Sequence, residues 1–232
     1  MSGRLEGKRA IVTGASRGLG RAIAEAYASE GARLVLTATR QEHLRSALGG
    51  CRDSGSAAMG VALDLGDPAG ARRAAQKAVV ELGRVDVLVN NAGVLGTRDP
   101  LVDYPLQQFG RVLEVGVTGT LAVVQAVVPA MTPGGVIINV SSGAAGRAGW
   151  GAYAVAKAAL EGMTNMLRDE LADRDIRVVA VNPGGVRTAM RASAYPNEDP
   201  NTLPHPSARV GPFVAIAGGV DPGPRIDAAE WS

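Results

Sequence analysis

The sequence predicts an α/β protein, a single-domain doubly wound parallel sheet. Short runs rich in Val and Ile alternate with segments of helical period, the pattern of strands buried on both faces by helices. The 232 residues suit one large domain with a core of its own. Each cluster of glycines and polar residues begins where an apolar run ends, and in such sheets ligands lie outside the carboxyl ends of the strands.

Taken in order, the expected strands are "RAIVTG" (9–14), "RLVLTA" (33–38), "AAMGVALD" (57–64), "VDVLVNN" (85–91), "GVIINVSS" (135–142) and "IRVVAVN" (176–182). Helical segments fall near 18–30, 41–53, 67–83, 105–131 and 151–172. The third is well punctuated: Asp67 caps, Pro68 takes the first helical position and Gly83 ends it. No repeat or linker interrupts the pattern, so residues 1–232 read as one domain. Beyond 188 the period is lost in a proline-rich stretch, and 188–210 reads as a surface loop or a flap over a pocket.

Composition removes several classes of function. Net charge is +2 with the basic residues scattered, which gives no nucleic-acid patch. Cys51 is the single cysteine, and His43 and His205 lie far apart, so neither a disulfide nor a His-based metal cluster is expected. No uninterrupted apolar run approaches the roughly 18 residues of a membrane span. The start lacks an apolar signal core, and the expected location is the cytoplasm. Aromatics are only 3%, so the core must be built from Ala, Val, Leu and Ile.

"TGASRGLGR" (13–21) joins the first strand to the first helix. Gly14, Gly18 and Gly20 let backbone pass beneath a pyrophosphate resting on the helix N-terminus. "GAYAVAKAALEG" (151–162) sets Tyr153 and Lys157 four apart in a run of small residues, about 6 Å apart on one helical face. By itself that pair fits a buried Tyr beside a solvent-reaching Lys.

Together, "TGASRGLG", "NNAG" (90–93), Ser142 with Tyr153 and Lys157, and "NPGGVRT" (182–188) resemble the motif series of the short-chain dehydrogenase/reductase family, in its order and near its spacing. The resemblance covers about residues 5 to 190. It implies a Rossmann fold and a dinucleotide held by Gly14, Ser16, Arg17, Gly18, Leu19 and Gly20. Asp64 and Leu65 match the adenine position, and Asn90, Ala92 and Gly93 the turn beside the ribose. Asn90 reads equally well as a structural hydrogen bond within the sheet. Pro183, Gly184, Val186 and Thr188 would wall the nicotinamide. No acid stands before Glu42 to take a ribose hydroxyl, whereas Arg17 and Arg40 suit a 2′-phosphate, so NADP is expected over NAD.

The resemblance makes Tyr153 the general acid/base, with Lys157 lowering its pKa and binding the nicotinamide ribose. Ser142 would polarise the substrate oxygen, with Ser141 as a rival because strand alternation lets only one face the site. The family's fourth catalytic residue, an Asn, is replaced by Gly116. The expected function is therefore NADP(H)-dependent hydride transfer to or from a small, apolar carbonyl or secondary alcohol. A catalytically weak NADP-binding sensor or scaffold is the alternative. An epimerase or dehydratase has little room for its extra substrate domain. A homodimer or homotetramer is expected through the two long helices, with no nucleic-acid, membrane or metal partner.

Overall fold

A computed structural model describes residues 3–231. Seven parallel strands form one sheet in the order 3-2-1-4-5-6-7. They are β1 (Arg9–Val12), β2 (Arg33–Ala38), β3 (Ala58–Ala62), β4 (Val85–Asn90), β5 (Met131–Val140), β6 (Ile176–Asn182) and β7 (Arg225–Asp227). Helices α1 (Gly18–Ser29), α2 (Arg45–Asp53), α3 (Pro68–Leu82), α4 (Leu106–Leu113), α5 (Gly119–Val127), α6 (Gly151–Glu170), α7 (Ala189–Ala194) and α8 (Gly211–Ala217) connect them. The strand order reverses between β1 and β4, and in such sheets ligands bind where the carboxyl ends of those strands part.

Strand alternation sends side chains into two cores. Ala10 and Val12 of β1 face the layer of α1, α2 and α8, with Ile23, Tyr27 and Phe213; Ile11 faces α3, α5 and α6, with Ala71, Val123 and Leu167. Alanines 71, 75 and 78 are fully buried on α3. Small residues there let helices sit close to the sheet, which is how a chain so poor in aromatics fills its interior. As expected, Asp67 caps α3 by accepting from the Gly70 N–H at 3.0 Å, and Gly83 closes it with φ +78°.

Several boundaries differ from expectation. The helix expected over 105–131 is two helices joined by a π-helical turn, Glu114–Thr118, and its last residues pass through a short 3-10 turn into β5. The stretch Leu106–Ala130 is apolar and long enough to cross a membrane by length and composition alone. It packs instead on α3 and α6, burying Val112, Val115, Val123 and Val127. Its Gly and Thr residues disguise that apolar character in a search for unbroken hydrophobic runs. The strand expected over 135–142 starts at Met131 and ends at Val140, which leaves Ser141 and Ser142 on the following loop. The strand expected over 57–64 ends at Ala62, so Asp64 and Leu65 lie in the β3–α3 turn.

Helix α8 and strand β7 were not expected. A seven-residue helix and a three-residue strand carry too little period to read. Tertiary contacts specify them: Phe213 is fully buried, its carbonyl accepts from Tyr27 Oη at 3.0 Å, and β7 extends the sheet beside β6.

Candidate active site

The glycine turn is shaped by what packs against it. A Cβ on Gly14 would lie 2.8 Å from Ala92 Cα, and one on Gly20 would lie 2.4 Å from Asn91 Nδ2. Gly14 and Gly18 also adopt φ of +64° and +58°, where side chains are strained. Asn91 Nδ2 donates to the carbonyls of Thr13 and Gly14 at 2.9 and 3.1 Å, while Thr13 Oγ1 accepts from the N–H groups of Asn91 and Ala92. Thr13 and Asn91 thus lock the turn to the end of β4. Sequence reasoning held both within its motifs but gave neither a role; the available signal was a polar residue closing each of two buried strands.

Helix α1 begins at Gly18, directly behind this turn. Its N-cap, Arg17, is extended, no side chain caps the helix, and its first turn holds no acid. The leading N–H groups therefore offer positive charge to an anion approaching the turn. Ser16 is half-buried at the rim, whereas Leu19 is buried in the core. Arg17 and Arg40 are both exposed; Arg40 pairs with Glu42 at 2.8 Å, and Arg17 has no carboxylate partner among the described residues.

The other cofactor candidates divide. Asn90 is buried, and its side-chain amide donates to Asn139 Oδ1 at 2.8 Å, which directs the side chain into the sheet and leaves the backbone to the cleft. Asp64 accepts from the Gly66 N–H and lies 3.7 Å from Arg111, while the Leu65 side chain is buried in the core. Pro183 and Val186 are buried beneath the β6–α7 segment and Gly184 is exposed. Thr188 caps α7 by accepting from the Arg191 N–H, and its methyl lies 3.3 Å from where a Gly18 Cβ would be. Thr188 and the glycine turn therefore meet across the cleft.

Helix α6 brings Tyr153 and Lys157 to the carboxyl ends of β4 and β5. Both are buried. Lys157 Nζ donates to the Val140 carbonyl at 2.6 Å and sits 5.6 Å from the centre of the Tyr153 ring; a Cβ on Gly93 would be 3.9 Å away. Burial pushes the lysine down to about 8, with the Glu161 charge opposing. The tyrosine departs from expectation. Burial raises its pKa, and the opposing influence is a hydrogen bond with Ser142 rather than the Lys157 charge. The ammonium is turned toward Val140.

The two serines point to different places. Ser142 Oγ accepts from the Ala144 N–H at 3.1 Å, and its hydroxyl is the polar neighbour that opposes the burial of Tyr153. Ser141 is buried and donates to Glu161 on the outer part of α6. Asn182, closing β6, accepts from the N–H groups of Gly143 and Gly184 at 2.9 and 3.0 Å, which ties the loops on either side of the cleft.

Gly116 lies in the π-helical turn opposite α6, where an added Cβ would stand 3.1 Å from Ala156 Cβ. The neighbour of Lys157 thus limits what this position can hold. Residues 188–210 fold into α7 and two 3-10 turns, and an aromatic–guanidinium stack fastens them. Arg98 lies 4.4 Å from the Trp150 ring and 4.7 Å from the Tyr195 ring, and donates to the Ala194 carbonyl at 2.7 Å. Arg191 lies 3.8 Å over Tyr195 and is held bidentately by Glu198. Trp150 in turn packs on Tyr153, with ring centres 6.0 Å apart. Arg98 carried no signal in the sequence because its partners are distant in the chain.

Comparison with known proteins shows the family and the fold. Residues 8–199 match the family model for short chain dehydrogenases. The chain is 40% identical over 204 residues to the uncharacterized oxidoreductase YciK of Escherichia coli (strain K12), covering 85% of this chain and 81% of that one. It is 37% identical over 221 residues to the 3-oxoacyl-(acyl-carrier-protein) reductase FabG of the same organism, covering 93% and 88%. A short chain dehydrogenase of Shigella flexneri 2a, complexed with NADP, superposes with a TM-score of 0.91 at 35% identity, over 99% of this chain and 100% of that one. The YciK structure superposes with a TM-score of 0.92 at 36% identity, over 98% and 97%.

Proposed function

The chain belongs to the short-chain dehydrogenase/reductase family of NAD(P)-dependent oxidoreductases, and we propose that within it the protein is an NADP(H)-dependent enzyme acting on the carbonyl or secondary alcohol of a small, apolar substrate. The observation that supports this reading is the gathering of Tyr153, Ser142 and Lys157 at the end of β5, beside the Ala92–Gly93 turn that packs on the glycine turn ahead of the uncapped α1.

The residues present fit a bound dinucleotide. The glycine turn packs closely on Asn91 and Ala92, and no side chain caps the leading N–H groups of α1, which suit a pyrophosphate. Arg17 and Arg40, both exposed, would hold a 2′-phosphate, and relatives crystallised with NADP and NADPH support that preference. When bound, NADPH supplies the hydride. Ser142 would hold the substrate oxygen by donating its hydroxyl proton, while the Ala144 N–H fixes the serine from behind. Tyr153, kept as the neutral phenol by burial, would give its proton to the same oxygen. Lys157 would hold the nicotinamide ribose with the ammonium protons not taken by Val140. Trp150, Tyr195 and the flap would exclude water from the reacting atoms.

Exposed Val102, Leu106 and Met166 on and beside α4 and α6 support assembly as a homodimer or homotetramer, and the single buried Cys51 is in keeping with a cytoplasmic protein. The reading is tested by screening small ketones and aldehydes for NADPH oxidation, with Tyr153→Phe as control. Turnover is expected with at least one carbonyl class, and Tyr153→Phe should reduce it by roughly 10²–10⁴-fold while NADPH still binds. Binding of NADPH with no turnover anywhere in the screen would favour the second reading, a sensor or scaffold, to which Gly116 points.

A further inference from the structure

Lys157 is buried, and a buried ammonium needs a counter-charge. Tyr153 cannot provide it, being held as the phenol. Gly93 faces Lys157 from across the cleft, Gly116 packs on the neighbouring Ala156, β5 brings the Val140 carbonyl, and the loop after β5 brings the hydroxyls of Ser141 and Ser142. Charge arrives instead from the outer side of α6. Glu161, one helical turn beyond Lys157, accepts from Ser141 Oγ, and Ser141 follows the residue whose carbonyl holds Lys157 Nζ. The same carboxylate accepts from Arg225 Nε at 2.9 Å, and Arg225 also pairs with Asp227 at 3.1 Å. Asn182 donates to Asp227 and completes the group.

Arg225 stands between two carboxylates and balances one of them. One negative charge is left over, and Lys157 is the cation that answers it. We propose that Glu161 is a positioning residue for Lys157: fixed by Ser141 and shared with Arg225, it is the counter-charge of the buried ammonium and couples it to strand β7. The three-residue strand thus acts on the site without touching it. Glu161 opposes the downward push of burial on the lysine, as this arrangement requires. Its importance for catalysis rests on the oxidoreductase reading; the charge coupling itself does not.

The sequence holds three lysines, Lys8, Lys77 and Lys157. Titration of the full chain labelled with ¹³Cε-lysine, followed by NMR without added cofactor, therefore reads Lys157 directly, assigned by its loss in Lys157→Met. Its midpoint is expected near about 8 in the wild type. Glu161→Gln removes the counter-charge and should lower it by on the order of half a unit to one unit, the part-exposed carboxylate being screened. Asp227→Asn, which frees Arg225 to neutralise Glu161 fully, should lower it in the same way. Arg225→Gln should raise it. The high-pH limb of kcat/KM should move in the same directions. Loosening of the packing would hydrate Lys157 and raise the midpoint in every variant, so a fall in the two acid variants separates charge from structure. Midpoints that stay put, or that all rise, overturn the proposal. If the protein neither binds nor turns over NADPH, these midpoints still decide the coupling.

Discussion

Lys157 Nζ reaches back to the Val140 carbonyl at 2.6 Å, at the last residue of β5, rather than to the hydroxyl of Tyr153. The helix spacing puts the two side chains on one face, as expected, but the strand end competes for the ammonium, and a buried cation takes the nearest fixed dipole. The pair therefore holds a lysine lowered to about 8 and a tyrosine raised above its usual value.

The pH dependence follows from those two directions. Below about 8 Lys157 carries its proton and can hold the ribose; above it the proton is lost while Tyr153 is still a phenol. Reduction measured as kcat/KM, which reports the free enzyme, should be level at neutral pH and fall as pH rises through about 8. A profile level until about 10, where an ordinary tyrosine ionises, would contradict the account.

The Arg98 stack makes a prediction about motion. Arg98→Ala removes two cation–aromatic contacts, together worth on the order of 1–2 kcal/mol, and the hydrogen bond to Ala194. Amide exchange across 189–203 should accelerate while β4 and β5 keep their protection, and KM should rise. Exchange identical to wild type would show that the flap is held by other contacts.

Gly116→Asn asks whether the missing asparagine matters. Its side chain must displace Ala156 by a few tenths of an ångström, so a gain in proton transfer would be offset by disturbance of α6. The expected change in turnover is less than about tenfold. A rise of roughly 10²-fold or more, the scale of a restored proton-transfer function, would show that this chain lacks a working relay.

How far the sequence could be read depended on the range of the interaction. Strands β1, β2, β4 and β6 were legible because burial on both faces forces continuous Val/Ile runs. Helix α3 announced itself through Asp67, Pro68 and Gly83, each acting within a few residues. The division of Leu106–Ala130 was not legible, since Gly116 and Gly119 are set by Ala156 and Leu65 on other elements: a Cβ on Gly119 would fall 2.2 Å from the Leu65 carbonyl oxygen. In the site, the glycine turn and the Tyr153–Lys157 spacing could be read as patterns. The locking of that turn by Asn91, the facing of Ser141 to Glu161 and the Arg98 stack could not, for each joins segments far apart in sequence.

The most direct measurement is a titration of the purified protein with NADPH and NADH, followed by nicotinamide fluorescence, on wild type and on Arg17→Ala/Arg40→Ala. The account predicts tighter binding of NADPH by wild type, and loss of about 10–100-fold in the double variant with NADH little changed, as expected for two charge-assisted contacts to a 2′-phosphate. Equal affinity for the two cofactors would contradict the NADP assignment, and failure to bind either would contradict the oxidoreductase reading itself.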